Sequence, residues 1–298
     1  VNFSHNQIAS ADFKRFREAY NTIRVLDLSS NNIAQDASQI FLNIPPTLET
    51  LDLSNNDIDG SIRGKFPVGR MQFFAISNNS ISGPMPDFPN TSPKLRSINL
   101  RDNGLTGTIP DDVFKLTDLS VLDLAGNNLS KSIPSSIGDL SQLTILNLSS
   151  NAFSQSIPMK LLKLKDVMEI IDLSSNTLEG RIPSEFASFQ GDIIFSGNVN
   201  LINPAPLGLC NNQGFDGIND NFSCPPERNA LRDFYESAKG REWTKSDLWL
   251  DPYESHCSWH GVECQRNKNG ENATYKLNLT SNGLSGTLSK NIYMLRSI

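Results

Sequence analysis

An asparagine returns through this chain at a near-constant interval, each time behind a pair of alternating apolar residues, and nothing else in the sequence constrains the fold as tightly. The string LxxLxLxxNxL places it at Asn6, Asn31, Asn56, Asn79, Asn103, Asn127, Asn151 and Asn176, and more weakly at Asn198, with spacings of 25, 25, 23, 24, 24, 24, 25 and 22 residues. A further clear copy stands apart at Leu277-Asn278-Leu279-Thr280-Ser281-Asn282-Gly283-Leu284. A fixed period of this length marks a stack of like units and overrides local readings. In Leu26-Asp27-Leu28 and Leu146-Asn147-Leu148, alternation at period two marks a short strand with one buried and one open face. One coil cannot hide its apolar edge alone, so coils stack and share a parallel sheet. The asparagine after each strand turns inward, where its amide serves backbone groups of neighbouring coils that would otherwise be buried unpaired. It is a structural residue, not a catalytic one.

Several coils continue as xLxGxIP, in Leu105-Thr106-Gly107-Thr108-Ile109-Pro110, Leu129 to Ile133-Pro134, Phe153 to Ile157-Pro158 and Leu178-Glu179-Gly180-Arg181-Ile182-Pro183. These residues resemble the plant-type leucine-rich repeat of receptor-kinase and receptor-like ectodomains, polygalacturonase inhibitors and secreted algal and protist proteins. The resemblance covers nearly the whole chain. It implies an α/β solenoid, a right-handed curved superhelix with a concave parallel sheet and short 3-10 or loop segments on the convex side. The coils after Asn6 and Asn31 lack Gly-x-Ile-Pro, and the second carries Ile44-Pro45-Pro46, so their convex edge is less predictable.

Four cysteines fall into two close pairs, Cys210 with Cys224 and Cys257 with Cys264, as expected in an oxidising compartment, and two disulfides are the leading reading. Residues 226–273, with Trp243, Trp249 and the run Cys257-Ser258-Trp259-His260-Gly261-Val262-Glu263-Cys264, resemble the N-terminal cap of the family. Residues 199–225 resemble its C-terminal cap. Caps are needed because each solenoid end would leave apolar core and strand edges in water. The order is then repeats over 1–198, a C-terminal cap, an N-terminal cap and a fresh coil over 274–298. Val1-Asn2-Phe3 has the phase of Leu26-Asp27-Leu28, and Leu295-Arg296-Ser297-Ile298 that of Leu95-Arg96-Ser97-Ile98. The expectation is one period of a longer chain of tandem modules, with a truncated domain pair or a circular permutant as alternatives.

Acceptor triplets for N-linked glycans occur at Asn2, Asn78, Asn90, Asn128, Asn147, Asn221, Asn272 and Asn278. Many arise from the repeat consensus itself, and about half are expected to be modified on surface access alone. Asn2, Asn147 and Asn278 sit between the inward residues of their strands and point out of the concave face. Two outward columns follow from the same alternation. One reads Asn2, Asp27, Asp52, Ala75, Asn99, Asp123, Asn147, Asp172; the other reads Val25, Thr50, Phe73, Ser97, Val121, Ile145, Ile170. The apolar members could form a water-excluding strip against a partner, although β-branched residues also suit any strand. The acids could accept hydrogen bonds from a basic protein or a sugar, although LDLSSN is also the default strand of the family.

Other chemistries are disfavoured. The net charge of −6, without a Lys/Arg block, lacks the footprint for a nucleic-acid backbone. No apolar run approaches the roughly 20 residues that span a bilayer, and Val1 to Ser10 lacks a signal-peptide layout, so any targeting signal is expected outside the segment. His256, Cys257, His260 and Cys264 superficially spell metal ligands, but their context matches the cap, so no metal or other cofactor is expected. No nucleotide-binding glycine string or nucleophile elbow is present. The aspartates lack an apolar pocket that would raise one carboxyl for glycoside hydrolysis, so the chain is not read as an enzyme.

Two functions remain. The first is an extracellular structural glycoprotein, its modules joined to neighbouring copies in a fibre or matrix. The second is a secreted or cell-surface recognition ectodomain that binds peptide, protein or cell-wall glycan.

Overall fold

The computed structural model describes residues 1–19, 22–62, 70–88, 94–183, 185–186, 189, 191–202, 215–216, 231, 234–245, 249, 260–266, 272–282 and 284–287. The period seen in the sequence becomes a parallel sheet of nine strands in chain order, one per coil, here called the front sheet: Val25–Asp27, Thr50–Asp52, Phe73–Ala75, Ser97–Asn99, Val121–Asp123, Ile145–Asn147, Ile170–Asp172, Asp192–Ile194 and Phe215–Asp216. Asn2 joins its first strand through a bridge to Asp27. A second parallel sheet of six strands forms where each chain turns past its asparagine. This flank sheet comprises Ser82–Pro84, Gly104–Gly107, Asn128–Ser132, Ala152–Gln155, Thr177–Arg181 and Asn200–Ile202.

Registers repeat because the core repeats. Leu26, Leu51, Phe74, Ile98, Leu122, Leu146, Ile171 and Ile193 fill one inward column, and Leu28, Leu53, Ile76, Leu100, Leu124, Leu148, Leu173 and Phe195 the next; all are buried. Burying such a side chain is worth about 1.5–3 kcal/mol, and a one-residue slip would turn each column out to water.

The inward asparagines complete the lattice. Asn127 donates from Nδ2 to the carbonyls of Leu100 (3.0 Å), in the preceding coil, and of Leu124 (3.0 Å), and its Oδ1 accepts the Leu105 N–H at 3.0 Å. Asn56, Asn176 and Asn198 make the same three kinds of bond. One amide thus satisfies three buried backbone groups and ties two coils together.

Coils differ on the side away from the front sheet. Where Ile-Pro is present, proline supplies an extended residue ahead of a short 3-10 helix: Pro110 before Asp111–Lys115, Pro134 before Ser135–Asp139 and Pro158 before Met159–Leu164. The two early coils without Gly-x-Ile-Pro instead form α-helices, Phe13–Ala19 and Ala37–Leu42. Asp36 caps the second, accepting the Ser38 N–H at 2.8 Å.

A separate hydrophobic cluster gathers Leu231, Phe234, Tyr235, Ala238, Trp243, Trp249 and Val262. The two indoles meet edge to face at 5.0 Å, and each N–H is satisfied at 2.9 Å, Trp243 by the Ala238 carbonyl and Trp249 by that of His260. An antiparallel pair, Val262–Arg266 with Asn272–Leu277, leads into the distant copy of the repeat. There Asn282 is buried, donating to the Lys245 carbonyl (2.8 Å) and accepting the Lys245 N–H (2.6 Å). Cys210, Cys224, Cys257, His256, Asn90 and Asn221 lie outside the described residues, as do the side chains of Cys264 and Asn272. The expected cystines therefore stay expectations. No described helix is long and apolar enough to cross a membrane.

Candidate ligand-binding face

Pairing in the front sheet places the outward residues opposite one another strand by strand. Val25, Thr50, Phe73, Ser97, Val121, Ile145 and Ile170 form one register line, which ends at Asp192. Val25 and Phe73 are each 46% exposed and Ile170 36%, while Val121 and Ile145 are half-buried. These side chains stand at the inter-strand spacing of about 4.8 Å with no coil of their own above them. Val121, Ile145 and Ile170 are consecutive; Phe73 is separated from them by Ser97 and from Val25 by Thr50.

In the neighbouring line, Asn2, Asp27, Asp52, Ala75, Asn99, Asp123, Asn147, Asp172 and Ile194, the aspartates and asparagines are tied to the backbone. Asp27 accepts the Ser29 N–H (3.0 Å), Asp52 that of Ser54 (2.9 Å), Asp123 that of Ala125 (3.1 Å) and Asp172 that of Ser174 (2.9 Å). Asn2, Asn99 and Asn147 make the same bond two residues on, at 2.8, 3.1 and 3.1 Å. An aspartate and an asparagine are interchangeable in this role, since both offer a side-chain oxygen that closes the turn. The charge of the column is therefore not what the fold requires.

Arg101 is the residue that reading the sequence for columns passed over. It occupies the position held by Ser29, Ser54, Ser77, Ser149 and Ser174 in other coils, and its one signal is a charge where the repeat elsewhere writes serine or alanine. Its Nε donates to Asp102 at 3.0 Å. That hydrogen bond, and the fields of Asp102, Asp123 and Asp172, raise the Arg101 pKa against a smaller loss of hydration. Burial pushes the Asp123 carboxyl up, opposed by the Ala125 hydrogen bond and by Arg101, with Asp102 and Asp172 adding to the rise. This part of the face thus sets the Arg101 guanidinium among carboxylates, bordered by an apolar line.

Of the candidate glycan acceptors, Asn2 is exposed at its bridge to the front sheet, Asn278 is exposed just past the strand that ends at Leu277, and Asn147 is half-buried on its strand, its Oδ1 holding both the N–H and the hydroxyl of Ser149. Asn78 is exposed beyond the end of its strand, and Asn128 is exposed on the flank sheet.

Family profiles for the leucine rich repeat match residues 93–153, residues 21–36 with 45–64, and residues 168–189. With the stacked parallel sheets and asparagine ladder, these matches give the chain a leucine-rich-repeat fold. It resembles the plant-type proteins built from such repeats. Among solved structures, this leucine-rich-repeat chain is similar to the Arabidopsis receptor kinase HAESA, solved in complex with the peptide hormone IDA and the co-receptor SERK1. The two are 26% identical, the match covers 72% of this chain and 41% of that one, and the TM-score is 0.58. A TDR receptor, 22% identical over 73% of this chain and 42% of that one at a TM-score of 0.56, shares the fold. The chain spans about two fifths of the length of these receptors. No curated protein sequence matches it.

Proposed function

We propose that this leucine-rich-repeat chain is a non-enzymatic recognition segment that holds a peptide or protein ligand along the front sheet, outside the cell. The observation that carries this reading is the outward line of Val25, Phe73, Val121, Ile145 and Ile170, which sets apolar surface in register on a sheet whose core is already complete. Exposed apolar groups arranged this way gain free energy only when a partner covers them. The acids beside them, in a chain of net charge −6, suit a ligand that is apolar on one side and basic on the other. The similarity to a receptor kinase solved with a peptide hormone supports the recognition reading over the fibre of tandem modules, for which the relatives offer no support. Residues 226–273 serve in this reading as a cap whose cystine, Cys257 with Cys264, closes a solenoid end.

A phage-displayed random peptide library selected on the full chain supplies the probe. Selected peptides should lose at least about tenfold in affinity against Phe73→Glu or Ile145→Glu, the cost of desolvating one charge within an apolar contact. Both variants should melt within about 2 °C of the parent, as exposed substitutions do. Peptides that bind both variants and the parent alike would remove the front sheet from consideration.

A further inference from the structure

The apolar line of the front sheet is one side chain wide. Gln72, Ser120 and Thr144 precede Phe73, Val121 and Ile145 in their strands, and the line of Asp52 and Asp123 runs along the other side. A helix buries a stripe about 100° wide, broader than this line offers. An extended chain turns its side chains alternately to two sides, and so fits between an apolar line and a polar one. It has to cross the strands, because both lines do.

The register then fixes the spacing of its side chains. Phe73 and Ile145 lie three strands apart, about 14 Å at the usual inter-strand distance, and four residues of extended peptide rise about 13 Å. Ile170 is one strand further, about 19 Å from Phe73, and six residues rise about 20 Å. Spacings of three or five residues turn the second side chain to the wrong line. We infer, resting on the proposal that the front sheet binds a ligand, that its occupant is an extended basic peptide lying across the strands. Its apolar side chains at i, i+4 and i+6 cover Phe73, Ile145 and Ile170, and a lysine or arginine at i−1 meets Asp52.

Asp52 is chosen by what the other acids already hold. Position i−1 lies on the acid side of the peptide, next to the strand of Asp52. One Asp52 oxygen accepts the Ser54 N–H at 2.9 Å, and among the described residues the other has no hydrogen bond or salt bridge. Asp27 beside it takes the Asn2 amide at 2.9 Å. The fields of Asp123 and Asp172 already act on Arg101, which would repel a second base arriving there. The ligand therefore carries its charge at one end of its apolar run.

A peptide library with two leucines and one lysine at every spacing in a serine and glycine background, panned on the full chain, tests this. Peptides with leucines four or six residues apart, and lysine directly outside one of them, should bind at least about tenfold more tightly than those of equal composition with spacings of three or five, the value of one apolar anchor. Asp52→Asn should remove the preference for lysine, about threefold as for an exposed ion pair, and leave the leucine spacing unchanged. Binders that are lost on Phe73→Glu or Ile145→Glu but show no leucine spacing overturn the inference and leave the front sheet standing as a ligand site. Binders indifferent to both substitutions overturn the inference and the site together. A library without binders overturns the inference alone.

Discussion

The front and flank sheets are built by the same coils, from the same backbone lattice, yet they present opposite chemistry. Outward positions on the front sheet include Val25, Phe73 and Ile170, all exposed, whereas the flank around Gln155, Ser156 and Glu179 carries amide, hydroxyl and carboxylate side chains and no large apolar one. Their inward positions are alike, Leu122 and Leu146 behind one sheet and Leu129 and Phe153 behind the other, all fully buried. A repeat therefore fixes where side chains go and leaves the outward ones to differ. The sharpest way to break the comparison is to cut the lattice both sheets share. Asn127→Ala strands the Leu105 N–H in the core and leaves the Leu100 and Leu124 carbonyls with the amides of Asn103 and Asn151. The expected loss is about 1–3 kcal/mol for one buried group left unpaired, or roughly 2–12 °C in Tm for a domain of this size. Thermal melts by far-ultraviolet circular dichroism measure it. A loss below about 1 kcal/mol would mean that the ladder does not bind the coils together.

A smaller effect of opposite sign separates the sheets. Lys131→Gly and Gln155→Gly place the residue best able to adopt positive φ where the backbone already has it. Each should stabilise the unglycosylated protein by about 0.5–1 kcal/mol, the relief of left-handed strain less the added freedom of the unfolded chain. Urea titration of the paired variants should move the midpoint upward by nearly the sum of the two, with an unchanged slope. A downward shift would show that the two side chains make stabilising contacts of their own. On the front sheet the left-handed residue sits one place before the asparagine, as at Ser30, Asn55, Ser150 and Ser175. These serines and asparagines recur as part of the repeat consensus, so Lys131 and Gln155 stand out as departures from their own column.

Much of this was legible in the sequence because the apolar columns and the asparagine obey a period, and the register of Val121, Ile145 and Ile170 follows from it without further information. What the period did not show are the residues that break it. Arg101 replaces a serine, and only the fold sets it beside Asp123 of the next coil. The helices Phe13–Ala19 and Ala37–Leu42 stand where Gly-x-Ile-Pro is missing, so the consensus that predicts 3-10 turns elsewhere had nothing to act on. The flank sheet likewise carries no alternation long enough to read as strands, since Gly104–Gly107 and Ser82–Pro84 contain glycine and proline. Its pairing is imposed by the stacking of coils rather than by strand propensity.

The smallest expected effect concerns the acids of the front sheet and tests whether their charge or only their oxygen matters. Asp123 accepts the Ala125 N–H just as Asn99 and Asn147 accept theirs, so Asp123→Asn keeps the hydrogen bond and removes the charge. Burial, the largest cause, holds the Asp123 carboxyl above the usual aspartate range. The folded protein thus keeps a proton at pH values where the unfolded chain has released it, and this group's contribution to stability falls as pH rises from the ordinary aspartate value through the raised one. At pH 7 the wild type bears that cost in full and the asparagine variant does not, so the variant should be equally or slightly more stable, by less than about 0.5 kcal/mol. The gap should close as pH drops below the ordinary aspartate range and the wild-type carboxyl becomes neutral in both states. Melting curves from pH 3 to 8 on both proteins decide the point. A variant less stable by more than about 1 kcal/mol at pH 7 would show that the attraction between Asp123 and Arg101 outweighs the burial. The acid column would then belong to the scaffold by charge as well as by geometry.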